Sequence, residues 1–177
     1  MEDLSLHILD IAENSIAAGA HRVAIRVEER PSRDRLVLEI SDDGRGMSPQ
    51  LLTRALDPFV TTKRGKRIGL GLSLLAQAAR AAGGKVTLRS RPGQGTKVRA
   101  TFRLSHIDLQ PLGDVAETLS ALMVGHPEVH FRYIHKTDTG SYVFHSPSGE
   151  ASPGGTRAGG GMKRDIRSGI ARIRRKP

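Results

Sequence analysis

Three short stretches of the sequence carry side chains able to do chemistry. Asp10 and Asn14 stand four residues apart, with Glu13 between them. On a helix that spacing puts the first two on one face, one above the other. An amide oxygen is a good ligand for Mg²⁺, and a carboxylate one turn away can orient or deprotonate a water. The same residues would equally serve as a solvated polar face. A second stretch, Asp42-Asp43-Gly44-Arg45-Gly46-Met47, joins a strand end to glycines that tolerate positive φ and the close approach of a flat ligand. A carboxylate there can accept hydrogen bonds from a purine amino group, although an ordinary glycine turn has the same composition. The third, Gly69-Leu70-Gly71-Leu72, lies where a basic loop becomes a helix. Free backbone N–H groups and the positive helix end would favour an anion such as phosphate.

The elements that must position these groups follow from periodicity. Leu4, Ile8, Ile11 and Leu9, Ala12, Ile16 recur at helical spacing, so a helix is expected over 3–18, ending before Gly19. Val23, Ile25, Val27 and Leu36, Leu38, Ile40 alternate with polar residues and predict two paired strands. Ser48-Pro49 starts a short helix reaching about Leu56. Residues 57–68 hold two threonines and four basic residues without clear period and read as a mobile loop. A helix is expected over 70–82, stopping at Gly83-Gly84, then strands over 85–90 and 97–104. Beyond Leu104 the pattern predicts a helix over 114–124 and strands over 129–136 and 141–145, an appended helix plus hairpin. The expected organisation is a domain over 1–104, the appendage over 105–145 and a flexible basic tail rich in glycine, serine and proline over 146–177. Ile166, Ile170 and Ile173 would suit a short basic amphipathic helix, which Gly169 weakens.

Composition bounds the function. A chain of 177 residues suits one domain with a small extension. Without cysteine there can be no disulfide, thiolate metal site or cysteine nucleophile, and a reducing cytoplasm is the expected location. No apolar run approaches the roughly 18–20 residues needed to cross a bilayer. The net charge of +10 is concentrated at the end: 8 Lys+Arg against 2 Asp+Glu from Ser146 onward, 20 against 16 before it. Such a tail can bind nucleic acid or an anionic surface, or simply be solvated. His7 reads as a helix histidine, and His126, His130 and His135 as surface or strand residues without metal spacing.

In order and together, the stretches resemble the Bergerat-fold (GHKL) ATPase superfamily of DNA gyrase, the heat-shock 90 chaperones, sensor histidine kinases and MutL. Residues 10–20, Asp-Ile-Ala-Glu-Asn-Ser-Ile-Ala-Ala-Gly-Ala, are similar to its N box, nearest the MutL version, and residues 42–47 to its G1 box. Asp57-Pro58-Phe59-Val60-Thr61-Thr62-Lys63 resembles the F box of histidine kinases, residues 69–73 their G2 box, and Gly93-Gln94-Gly95-Thr96 the turn that closes the pocket. The resemblance spans residues 4–104. It implies an α/β two-layer sandwich, with a mixed, mostly antiparallel sheet and helices on one face, that binds ATP and Mg²⁺. It further implies that Asn14 holds Mg²⁺ against the phosphates, that Asp42 binds the adenine amino group, and that Gly44, Gly46 and Met47 line the base. Lys63, Gly69, Leu70, Gly71 and Leu72 would belong to the phosphate-covering lid, and Thr96 would lie near the adenine. Asp10 falls where hydrolytic members keep a glutamate base, one methylene longer. Arg67 and Ile68 depart from the Gly-Thr of many histidine kinases. The expected function is a Mg-ATP-dependent switch or weak ATPase serving a protein partner. Alternatives are a kinase acting in trans on a histidine or serine, and a nucleic-acid or anionic-surface module working through the basic tail.

Overall fold

A computed structural model describes residues 3–56, 70–146 and 158–174. The elements are α1 (Leu4–Ala17), β1 (Arg22–Arg30), β2 (Arg35–Asp42), α2 (Pro49–Arg54), α3 (Leu70–Ala81), β3 (Lys85–Ser90), β4 (Thr96–Arg103), α4 (Val115–Gly125), β5 (His130–Lys136), β6 (Ser141–His145) and α5 (Ala158–Arg174). The six strands form one sheet in the order β3-β4-β2-β1-β5-β6. Every pairing is antiparallel except β1 with β5, so the sheet is mixed and mostly antiparallel.

Alternation decides which side of this sheet is buried. Ile25 pairs with Ile40 and Tyr133, Val27 with Leu38, and Leu36 with Phe102. Directly paired residues share a face, and these form one core with Leu4, Ile8 and Ile11 of α1, Leu75 and Ala79 of α3, and Leu119 and Leu122 of α4. Each fully buried Leu or Ile contributes roughly 1.5–3 kcal/mol relative to exposure. The helices start where side chains satisfy their first N–H groups: Asp3 accepts from Leu6, Ser48 from Leu51 and Asp114 from Glu117.

The strands read as an appendage continue the same sheet, because β5 lies parallel beside β1 over Arg22–Glu28 and His130–Lys136. The tail also differs from expectation. Instead of a flexible segment throughout, residues 158–174 form α5, with Ile166 and Ile173 buried against the core. Gly169, read as a weakness in this helix, is what lets it seat: a Cβ there would collide with the Tyr142 ring. Ion pairs Lys163–Glu117 (2.7 Å), Arg167–Asp114 (2.6 Å) and Arg174–Glu29 (2.6 Å) fix its length. Its last turn is closed by the hydroxyls of Thr137 and Thr139, each donating to the Ile173 carbonyl at 2.9 Å.

Of the two readings of His135, surface or strand, the strand one holds. The residue is fully buried in β5, its ring between the Tyr133 hydroxyl and the Glu29 carboxylate at 2.6 Å each. Burial pushes the Glu29 carboxyl up, but hydrogen bonds from His135 and Arg174 outweigh it and hold the group below its usual range. Among the described residues no helix is long and apolar enough to cross a membrane.

Candidate functional site

The site grows from the end of β2. Asp42 sits opposite Val23 of β1, a core residue, and so on the helix side of the sheet. Its Oδ1 accepts the backbone N–H of Gly44 at 3.0 Å and of Thr96 at 3.1 Å, and its Oδ2 accepts the Ser15 hydroxyl at 2.7 Å. One carboxylate therefore ties together α1, the turn after β2 and the turn before β4. A carboxylate has about four lone-pair positions, so these three bonds leave one on Oδ2 for a further donor.

The glycines around it are required by space. Gly44 is buried, and a Cβ on it would lie 3.0 Å from the Ala18 carbonyl oxygen and 3.2 Å from Asp42 Oδ1. Gly46 (φ +66) and Gly95 (φ +76) have left-handed backbones, and a Cβ on either would strike a carbonyl, of Arg91 and Asp42 respectively. Ser90 joins the two turns: its Oγ accepts the Met47 N–H at 2.8 Å, donates to the Gly95 carbonyl at 2.8 Å, and lies 3.0 Å from Thr96 Oγ1. Next to Asp42, Asp43 is engaged with backbone. Burial would raise its carboxyl, but the N–H groups of Arg22 and His21, each donating at 2.8 Å, outweigh this and hold it below the usual range.

Asp10 and Asn14 are half-buried on α1, and the first turn of α3 lies against them. A Cβ built on Gly71 would sit 3.3 Å from Asp10 Cβ, 3.4 Å from Asp10 Oδ2 and 3.6 Å from Asn14 Nδ2. An alanine at 71 would be tight against Asp10, and a longer side chain would push against both residues. Glu13 is not part of this group, since its carboxylate pairs with His126 at 3.1 Å. Leu72 packs as a partly buried side chain on the core. Lys63, Gly69 and the side chain of Leu70 lie outside the described residues, as does the whole of the expected loop over 57–68.

The structure thus brings Asn14, its neighbour Ser15, Asp42, Gly44, Gly46, Gly71 and Thr96 onto the helix side at one end of the sheet. Sequence reasoning missed Ser15 and Ser90. The signal for Ser15 was a small hydroxyl on the buried stripe of α1, where it is 4% exposed and leaves no room for solvation. His7, also on α1, is buried too, with Nε2 3.2 Å from Gln110 Oε1, and burial holds its pKa below the ordinary value. Among the described residues no three His, Cys, Asp or Glu side chains cluster as metal ligands.

Comparison with known proteins identifies the family and the fold. The family described as histidine kinase-, DNA gyrase B- and HSP90-like ATPase matches residues 2–106. The sensor protein kinase FleS of Pseudomonas aeruginosa is 41% identical over 110 residues, covering 62% of this chain and 27% of that protein. The alginate biosynthesis sensor protein KinB of Pseudomonas aeruginosa is 32% identical over 89 residues, half of this chain and 15% of that one. The chain therefore spans about a quarter or less of the length of these relatives. Among solved structures, the Aquifex aeolicus MutL ATPase domain complexed with ADP superposes with a TM-score of 0.57 at 16% identity, covering 77% of this chain and 61% of that one. The N-terminal domain of a DNA repair protein gives 0.63 at 14% identity over 93% and 59% of the two chains.

Proposed function

Because the chain belongs to the histidine kinase-, DNA gyrase B- and HSP90-like ATPase family, we propose that it binds Mg-ATP between α1, the end of β2 and the start of α3, as a nucleotide-dependent switch or slow ATPase. The observation that carries this reading is the Asp42 carboxylate, held by three donors with one lone pair spare, on the same side of the sheet as the Asp10–Asn14–Gly71 contact.

In this reading the adenine amino group donates to Asp42 Oδ2, and Gly44, Gly46, Met47 and Thr96 bound the base. The phosphates lie towards the start of α3, where the positive end of the helix dipole attracts negative charge. Gly69, Leu70, Gly71, Leu72 and Lys63 would cover them. Mg²⁺ is bound by few protein groups, alongside substrate phosphates and waters. A half-buried amide oxygen at Asn14 with a carboxylate one turn away fits that requirement without a dedicated cage. When bound, the ion supplies charge neutralisation across the phosphates. Asp10 would orient or deprotonate a water, and its short side chain is the reason to expect slow turnover.

Isothermal titration with Mg-ATP tests the proposal, and absence of heat at about millimolar nucleotide, the weak end of specific affinity, removes it. A phosphate-release assay comparing the native chain with Asp10→Asn separates a base from a bystander. If both release phosphate at the same rate, Asp10 is not the base.

The likeness to a sensor protein kinase over the matched region favours a second reading, transfer of the γ-phosphoryl to a histidine or serine of a separate protein. Radiolabelled ATP mixed with candidate partners distinguishes the two, since a switch transfers no label. Three cations of the tail are paired with body carboxylates, so no polyanion role is proposed for it. The lack of cysteine suits a reducing compartment, and the cytoplasm is the proposed location.

A further inference from the structure

The face of the sheet turned away from the helices has a concavity of about 470 Å³. Its shape follows from strand register. Ala24 of β1 pairs with Ser41 of β2 and with Arg132 of β5, Arg22 pairs with His130, and Arg132 pairs with His145. Residues directly opposite share a face, so one methyl and one hydroxymethyl group are ringed by two guanidinium groups and two imidazoles. The depression is the space above the two smallest side chains.

No carboxylate among the described residues pairs with its two arginines. Elsewhere on this face Arg26 and Arg30 share Glu28, while Lys97 and Arg99 share Glu39. The side chains of Arg22, His130, Arg132 and His145 are all exposed and have no hydrogen-bond or ion-pair partner among the described residues. The carboxylate at the rim, Asp43, is turned to the backbone N–H groups of His21 and Arg22. Val23 and Phe131 border the same space, but their side chains belong to the core on the other face. The walls therefore offer guanidinium, imidazole and hydroxyl donors, without an apolar side chain to anchor a hydrophobic group.

We propose that this concavity is a binding site for a small phosphate-bearing ligand, separate from the pocket built on Asp42. The planar fork of arginine matches phosphate oxygens in a bidentate way, and two such forks beside imidazole and hydroxyl donors suit a group carrying two or more negative charges. A volume of about 470 Å³ falls in the range of small-molecule sites rather than single-ion sites. Ser41 and Asp42 are consecutive on β2 and their side chains alternate between opposite faces, so the two sites stand back to back across the sheet, with residue Asp42 bordering both.

The proposal is tested on the full chain by following backbone amide resonances during titration with inorganic pyrophosphate, which locates binding whether or not ATP binds. The expected result is saturable shifts centred on Ala24, Ser41 and Arg132, with affinity at least about tenfold weaker in the Arg22→Gln/Arg132→Gln double variant, the effect of losing charged donors. Both residues are exposed, so the variant is expected to keep its melting curve. Shifts confined to Asp10, Asn14 and Gly71, equal affinity in the variant, or no saturation at about 10 mM, weaker than specific sites reach, each overturn the proposal. A second arm measures co-sedimentation with phosphatidylglycerol vesicles. Binding to vesicles without binding to pyrophosphate would make the ligand a lipid surface and overturn the small-ligand assignment.

Discussion

Replacing Asp42 by asparagine probes the proposed pocket with little disturbance to the fold, because the structure gives each lost interaction a substitute. Oδ1 would remain an acceptor for the Gly44 and Thr96 N–H groups, now as a neutral amide, and such bonds are roughly half as strong as charge-assisted ones. Where Oδ2 accepted the Ser15 hydroxyl, an NH₂ group would stand. Ser15 can then turn its own proton to the Ile11 carbonyl, 3.2 Å away, and accept instead. The expected loss of stability is about 1–2 kcal/mol, a fall of roughly 2–8 °C in melting temperature for a chain of this size. For the nucleotide there is no substitute. The spare lone pair becomes a donor facing the donor amino group of adenine, which removes a bond to a charged acceptor and leaves two polar hydrogens opposed. Together these are worth about 3 kcal/mol or more, or roughly 150-fold in Kd. A guanine base, which presents an acceptor at that position, should lose far less, so the preference for ATP over GTP should narrow. Titration calorimetry with both nucleotides, beside thermal melting by circular dichroism, measures all three quantities. A folded Asp42→Asn protein that binds ATP within about threefold of the native chain, a difference of only ~0.7 kcal/mol, would show that this carboxylate does not touch the base.

Asn14→Ala is expected to abolish the Mg²⁺-dependent part of ATP affinity, and Kd values measured with Mg²⁺ and with a chelator should become equal. The buried His7 gives a pH signature. Its folded pKa is depressed by burial, so below the ordinary histidine value of about 6.5 the unfolded chain takes up a proton that the folded chain resists. Stability should therefore be full above that pH and fall as pH drops below about 6.5, and denaturant melts of His7→Leu should lose that dependence. Gly169→Ala drives a methyl group into the Tyr142 ring and should destabilise the docking of α5 by about 1–3 kcal/mol, read as lower hydrogen-exchange protection in α5 with α1 unchanged.

Much of this architecture was legible because burial is one-sided. Val23, Ile25 and Val27 alternate because only one face of β1 meets the helices, and Leu4, Ile8 and Ile11 recur because only one stripe of α1 does. The site was legible only through the order of its motifs. Ser15 and Asp42 are 27 positions apart and Thr96 is 54 from Asp42, contacts that no local spacing encodes. Ser90 was missed for the same reason, since its role exists only once two turns meet. The parallel pairing of β1 with β5 leaves no short-range signal, which is why the later strands read as an appendage. The tail helix was partly legible, in the spacing of Ile166, Ile170 and Ile173, whereas Gly169, weighed against it, answers a distant ring.

That parallel pairing has a consequence for how the chain is made and handled. While a nascent chain ends near residue 106, β2 already has β4 on its far side, but β1 has only β2, and the hydrogen-bonding groups on the other edge of Arg22–Glu28 have nothing to bond except water or another molecule. An unprotected rim of this kind invites intermolecular pairing. A fragment cut at the family boundary should therefore self-associate, and the later third of the polypeptide works as a built-in guard for the earlier part.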